Sequence, residues 1–264
     1  MSDGTPARRA SDLPLRAVAG LAMVAVALVA LTIGGLVFWL LCAVAAVFMM
    51  GEWADLHAVA PRHKRLAQYA LFVPLALMSP WGAGPNFLSL GLLAGAAFFL
   101  VIVTGRRALA LGVAYVGLPV FALLLIRDRP EGLIYTLWTL ALVWACDIGA
   151  YFAGRTIGGP KLAPVMSPNK TWAGLIGGVV LASLLGVAMH YQYALPLRMV
   201  LATPVLAVLA QLGDLYESGL KRRAGVKDSG TILPGHGGVL DRLDGVVPVA
   251  PVAAMVVVLP LLLP

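Results

Sequence analysis

Charge is what this sequence has least of. Only 12% of its 264 residues are Asp, Glu, Lys or Arg, and 61% are hydrophobic, against roughly 25% and 45–50% in soluble domains. This excludes an ordinary water-soluble globule and leaves an integral membrane protein, its length divided into spans of roughly 20 residues plus loops. Cysteine is nearly missing. Cys42 and Cys146 sit in or at the end of apolar runs without metal-type spacing, which excludes a disulfide framework or a zinc signature and makes them small buried hydrophobes. There is no internal repeat, no low-complexity tract and no linker long enough to separate two soluble domains. Acids are outnumbered, 12 to 19 Lys and Arg, for a net charge of +7. In a membrane chain such a balance reflects basic cytoplasmic loops, so anionic lipid and phosphate ligands are expected and nucleic acid is not.

What the chain does have is apolar runs. Arg8 and Arg9 precede the first, as in a secretory signal, but that run extends over 17–50, well beyond a signal's apolar core of roughly 7–15 residues. It reads as a retained anchor, split by Gly34 and Gly35 into two helices. The runs 18–33, 36–50, 66–78, 87–104, 108–126, 133–146, 172–189, 199–212 and 246–263 make about nine transmembrane helices. With the N-terminus cytoplasmic and the C-terminus outside, the inside segments hold 16 of the 19 basic residues. The outside segments keep only Arg127, Arg129 and Arg198, the asymmetry expected of a correct topology. The fold class is therefore an all-α polytopic membrane protein.

Six of the 12 acids fall in two hydrophilic segments that this topology puts on the same, cytoplasmic side, 147–171 and 213–245. Asp147 stands where a span meets water, which marks a functional hypothesis. The stretch "CDIGAYFAGRTIGGPKLAPVMSPNKTWAG" adds Arg155, Lys161 and Lys170 as cations and Ser167 as a hydroxyl on irregular backbone. Trp172 is a natural interface anchor. In "LGDLYESGLKRR", a continuing helix puts Asp214, Glu217, Ser218 and Lys221 on one face. "PGHGG" surrounds His236 with Gly235, Gly237 and Gly238, backbone that lets an anion approach N–H groups. "DRLD" then sets Asp241 and Asp244 one turn apart. Such a pair suits Mg²⁺, or an ion pair with Arg242 or Arg222; both readings stand. Carboxylates for metal, beside Lys221, Arg222, Lys227 and Arg242 for phosphate, are the parts phosphoryl transfer needs.

These residues resemble the phosphatidate cytidylyltransferases (CDP-diacylglycerol synthases), whose signature runs S-x-x-K-R-x(4)-K-D and then P-x-H-G-G-x-x-D-R-x-D. Ser218, Lys221, Arg222, Lys227, Asp228, Pro234, His236, Gly237, Gly238, Asp241, Arg242 and Asp244 match it. "DIGAYFAGR" and "SPNKTWAG" resemble two further family segments, with Ala173 where the family often has Glu. The resemblance is strongest over 147–244; the first half matches in its pattern of spans. It divides the chain into N-terminal helices 1–146, about six spans, and a catalytic membrane region 147–264 with its two loops and about three spans.

The resemblance implies that CTP and phosphatidate give CDP-diacylglycerol and diphosphate with a divalent metal, Mg²⁺. It implies that Asp228, Asp241 and Asp244 hold the metal, completed or oriented by Asp147 and Asp214. A second metal or a monovalent cation sharing the site is left open. Lys221, Arg222, Lys227 and Arg242 would bind phosphates, positioned with Ser218 and His236, while Gly237, Gly238, Arg155, Ser167 and Lys170 contribute to substrate binding. A homodimer is expected by the same resemblance, and a chain without a targeting peptide suggests a bacterial inner membrane.

Two other classes compete. A transporter would carry functional charge near mid-span, and the runs here are nearly free of it. An inactive scaffold retaining the motif is the remaining alternative. A CDP-alcohol phosphotransferase would need D-G-x-x-A-R and acids spaced i, i+4; this chain has neither.

Overall fold

The structure, a computed structural model, describes residues 12–233, 235 and 237–259. Arg8, Arg9, Pro234 and His236 lie outside the described residues. In chain order the elements are α1 (Asp12–Ile33), α2 (Gly35–Leu56), α3 (Pro61–Leu77), α4 (Phe87–Thr104), α5 (Arg107–Arg127) and α6 (Gly132–Thr156). They continue with β1 (Lys161–Ala163), β2 (Ser167–Thr171), α7 (Trp172–Tyr193), α8 (Leu197–Arg223), α9 (Leu240–Leu243) and α10 (Val246–Val258).

Each apolar run falls on one helix, in order. Among the described residues six helices, α2, α4, α5, α6, α7 and α8, are long and apolar enough to cross a membrane. The apolar helices Gly20–Ile33 and Val246–Val258 are shorter, and α3 opens on the basic stretch Arg62 to Arg65. The molecule is an all-helical, multi-pass membrane protein with one small hairpin.

Two differences from the sequence reading shape the site. First, α6 does not stop where its apolar run does but continues from Asp147 to Thr156, just as α8 continues from Gly213 to Arg223 in keeping with the spacing of its polar residues. Hydropathy marks where a helix leaves lipid, but close packing carries the helix further. A Cβ on Gly149 of α6 would sit 2.5 Å from the Gly177 carbonyl of α7, the kind of backbone approach that small residues permit between membrane helices. Second, 161–171 is a β-hairpin, with Lys161 opposite Thr171 and Ala163 opposite Ser167. Thr171 ends β2 and caps α7, its Oγ1 accepting the Gly174 N–H at 3.0 Å. The cap fixes Lys170, one residue earlier, against α8.

The core joins the two halves of the chain. α10 packs against α5, α6 and α8, and α2 against α5. Buried tryptophans find partners for their N–H groups: Trp138 of α6 donates to Thr203 Oγ1 of α8 at 3.0 Å, and Trp53 of α2 to the Ala108 carbonyl of α5 at 2.8 Å. At the end of the bundle that holds Trp53, the C-terminal part of α2 meets the segment leading into α9 and α10, and the C-terminal parts of α6 and α8 meet β2 and the start of α7.

Candidate active site

A cavity of about 610 Å³ opens there between α6, β2, α7 and α8, lined by Asp147, Tyr151, Arg155, Asn169, Lys170, Gln211 and Asp214 among others. Its polar wall is one connected chain. The Lys170 ammonium lies 2.6 Å from Asp214 Oδ2 and donates to Gln211 Oε1 at 3.0 Å. Gln211 turns its amide N–H to Asp147 Oδ1 at 3.2 Å, and Ser218 Oγ donates to the other Asp214 oxygen at 3.3 Å. At the mouth the Arg155 guanidinium donates to the Tyr151 hydroxyl at 2.8 Å.

The expected common face of α8 divides in two. Asp214 lines the cavity, with Ser218 hydrogen-bonded to it, whereas Glu217 and Lys221 turn to the segment after α8. Lys221 pairs with Asp241 Oδ1 at 2.6 Å and with the fully buried Glu217 at 3.2 Å. Asp241 Oδ2 accepts three further hydrogens: from Ser229 N–H at 2.8 Å, Ser229 Oγ at 3.0 Å and Gly238 N–H at 2.8 Å. Burial works against an ionised Asp241, but Lys221 and the N–H groups of Gly238 and Ser229 outweigh it and hold the carboxyl below its ordinary range. Gly237, at φ 82°, is required by this approach, since a Cβ there would lie 2.7 Å from Asp241 Oδ2.

Asp244 behaves in the opposite way. Burial first, then the charges of Asp214 and Asp147, push its carboxyl up to about 7, with the Gly245 N–H and Lys221 pulling the other way. Asp147, Asp214 and Asp244 thus converge from α6, α8 and the α9–α10 junction on one repelling group of carboxylates. A hard divalent cation fits that donor chemistry. Among the described residues no three His, Cys, Asp or Glu side chains form a ready metal cage, so water and ligand oxygens would have to complete the coordination of such a cation.

The remaining expected residues are spread around this centre. Arg222, Lys227, Asp228 and Arg242 are exposed; Asp228 touches the loop, its Cβ 3.2 Å from where a Gly237 Cβ would stand. Ser167 begins β2 opposite Ala163 and does not line the cavity. The Gly238 N–H, expected to meet substrate, points to Asp241 instead. His236 lies outside the described residues.

Two residues of this region were not foreseen. Gln211, 3% exposed, reads in sequence as a polar residue at a helix end. Glu52 of α2, also 3% exposed, accepts from Val239 N–H, Leu240 N–H and Ser229 Oγ at 2.9, 2.7 and 3.1 Å. In the sequence it stands two residues beyond the apolar run 36–50, with Asp55 close behind, and carries no signal that separates it from a loop acid.

Fold and site define a class: a multi-pass helical membrane protein with carboxylates and lysines gathered at one end of its bundle. The chain belongs to the cytidylyltransferase family, whose model matches residues 14–259. It is 40% identical over 249 residues to the phosphatidate cytidylyltransferases of Brucella suis and Brucella melitensis, covering 91% of this chain and of each relative. It is also 47% identical over 144 residues to the Staphylococcus epidermidis phosphatidate cytidylyltransferase, covering 53% of this chain and 55% of that one.

Proposed function

We infer that this protein is a phosphatidate cytidylyltransferase, a CTP-dependent nucleotidyltransferase of phospholipid synthesis that makes CDP-diacylglycerol and diphosphate. The observation that carries the reading is the convergence of Asp147, Lys170, Gln211 and Asp214 on one cavity with Asp244 beside it, in a chain sharing the family's signature. A phosphate oxygen of phosphatidate attacks the α-phosphorus of CTP. The new P–O bond forms as the bond from that phosphorus to the β-phosphate bridging oxygen breaks, and diphosphate leaves with the electron pair. The nucleophile is already anionic, so no side chain need take a proton.

The protein's task is to bring two polyanions together and in line. Lys170 and Arg155 bind phosphate at the cavity; Arg222, Lys227 and Arg242 attract it from the rim. Asp244 with Asp147 and Asp214 would hold Mg²⁺, which would supply neutralising charge for the phosphates. Asp241 we assign to holding the loop, since both its oxygens already accept hydrogens. Acyl chains remain between helices in the bilayer.

The same reading puts the site at the cytoplasmic end of nine crossings, N-terminus inside and C-terminus outside, in a bacterial inner membrane, with a homodimer as the expected assembly. The 16 to 3 partition of basic residues and the cytosolic supply of CTP support it. The test is turnover in detergent micelles of phosphatidate with CTP. Equal amounts of CDP-diacylglycerol and diphosphate, lost on chelating Mg²⁺, are expected. No product from folded protein overturns the reading and favours a transporter or scaffold.

A further inference from the structure

We propose that Glu52 is a positioning residue for cytidylyl transfer: from α2, it holds the 229–240 loop in the shape that sets Asp241 and Asp244 against α8. The proposal rests on the functional reading above. Glu52 lies 177 residues from Ser229 and 188 from Leu240, yet the loop is built around its carboxylate. Oε1 takes the N–H of Val239, and Oε2 takes the N–H of Leu240 and shares the Ser229 hydroxyl with Asp241 Oδ2. The two amides are the ones that open α9, which otherwise have no helical partner.

Packing tells the same story. A Cβ on Gly230 would lie 2.7 Å from Glu52 Oε1, and one on Gly238 would lie 2.6 Å from Glu52 Cδ and 2.2 Å from Ser229 Oγ. Both glycines stand where the loop backbone closes directly on the carboxylate. A buried carboxylate is costly unless its oxygens are satisfied, and here the satisfaction comes from the segment carrying the signature. The connection then runs Glu52, Ser229, Asp241, Lys221 through contacts of 3.1, 3.0 and 2.6 Å. Asp244 follows three residues after Asp241, so the orientation of α9 decides where its carboxylate stands. Glu52 touches no residue lining the cavity in these contacts; its action is through the loop.

Glu52→Gln keeps the shape and replaces one acceptor by an N–H₂ that faces donors. Its kcat for CDP-diacylglycerol formation is expected to fall about 100-fold, the scale of a displacement near 1 Å at a reacting centre, with the KM for CTP within about threefold. Amide hydrogen exchange over 229–240 is expected to quicken while α5 and α7 exchange as in the wild type. Ser229→Ala should lose about tenfold, and Glu52→Asp, which keeps the charge on a shorter arm, should fall between wild type and Glu52→Gln.

A purely structural role would lower the melting temperature and leave kcat intact below it. That result overturns the proposal, as does a loss of kcat with loop exchange unchanged. Should Glu52→Gln fail to fold, Ser229→Ala and Glu52→Asp decide by the same two readings, and wild-type values in both overturn it. Absence of turnover in the wild type removes the functional reading itself and the role with it, while the exchange data still report whether the clasp exists.

Discussion

The cavity wall and the signature loop use the same side chains to opposite ends. In the loop, Asp241 is surrounded by donors, three on one oxygen and Lys221 on the other. At the cavity, Asp147 and Asp214 stand beside Lys170, and burial first, then the charges of Asp214 and Asp147, raise the carboxyl of Asp244. A carboxylate saturated by its own chain shapes backbone. Carboxylates left mutually repelling are poised for a ligand, because charge arriving from outside relieves them. Sequence spacing alone makes Asp241 and Asp244 look equivalent, one turn apart; their surroundings separate them.

The largest effect expected from breaking this contrast is at Asp244. Asp244→Asn should lower kcat by about 10²–10³-fold while the melting temperature in the absence of metal stays level or rises, since a buried, repelled charge is removed. Activity and unfolding measured on one preparation check both halves.

At Asp241 the stability effect should have the other sign. Asp241→Asn is expected to cost about 1–3 kcal/mol, the scale of removing a charged acceptor from buried donors. The pH dependence follows from its lowered carboxyl. This stabilisation is present above the unfolded value near 3.9 and is lost as pH falls through the lower folded value. The wild type should therefore lose melting temperature steeply on acidification, and Asp241→Asn less so.

Gln211→Ala comes next, with an expected loss of about tenfold in kcat as Asp147 and Lys170 lose their common partner; Gln211→Glu should be worse, through a fourth negative charge. The smallest effects belong to the exposed rim. Lys227→Ala or Arg222→Ala should raise the KM for CTP about two- to fivefold, a difference that shrinks with added salt because exposed charges are screened.

Much of this arrangement was legible before any fold was in hand. The apolar runs fall on helices in order, and among the described residues six of these are long and apolar enough to cross a membrane, because crossing demands apolar length. Asp147, Lys170, Asp214 and Asp244 stood out because charge is rare in this chain. The continuation of α8 could be read from the spacing of Asp214, Glu217, Ser218 and Lys221, but that of α6 was hidden, since a helix held by its neighbours does not end where its hydropathy does. The hairpin was too short, at three and five residues, to leave a pattern. Gln211 and Glu52 were invisible for one reason: their partners lie 41 to 188 residues away, and only the folded bundle brings them together. Conversely, the glycines around His236 suggested an open cradle for substrate, whereas Gly237 and Gly238 are shaped by the protein's own Asp241 and Glu52.

The most direct test compares wild type, Asp244→Asn and Asp241→Asn for CDP-diacylglycerol formation from CTP and phosphatidate with Mg²⁺, alongside their unfolding temperatures. The account predicts product from the wild type, near-complete loss without destabilisation in Asp244→Asn, and destabilisation accompanying the loss in Asp241→Asn. Full activity in a well-folded Asp244→Asn would contradict it.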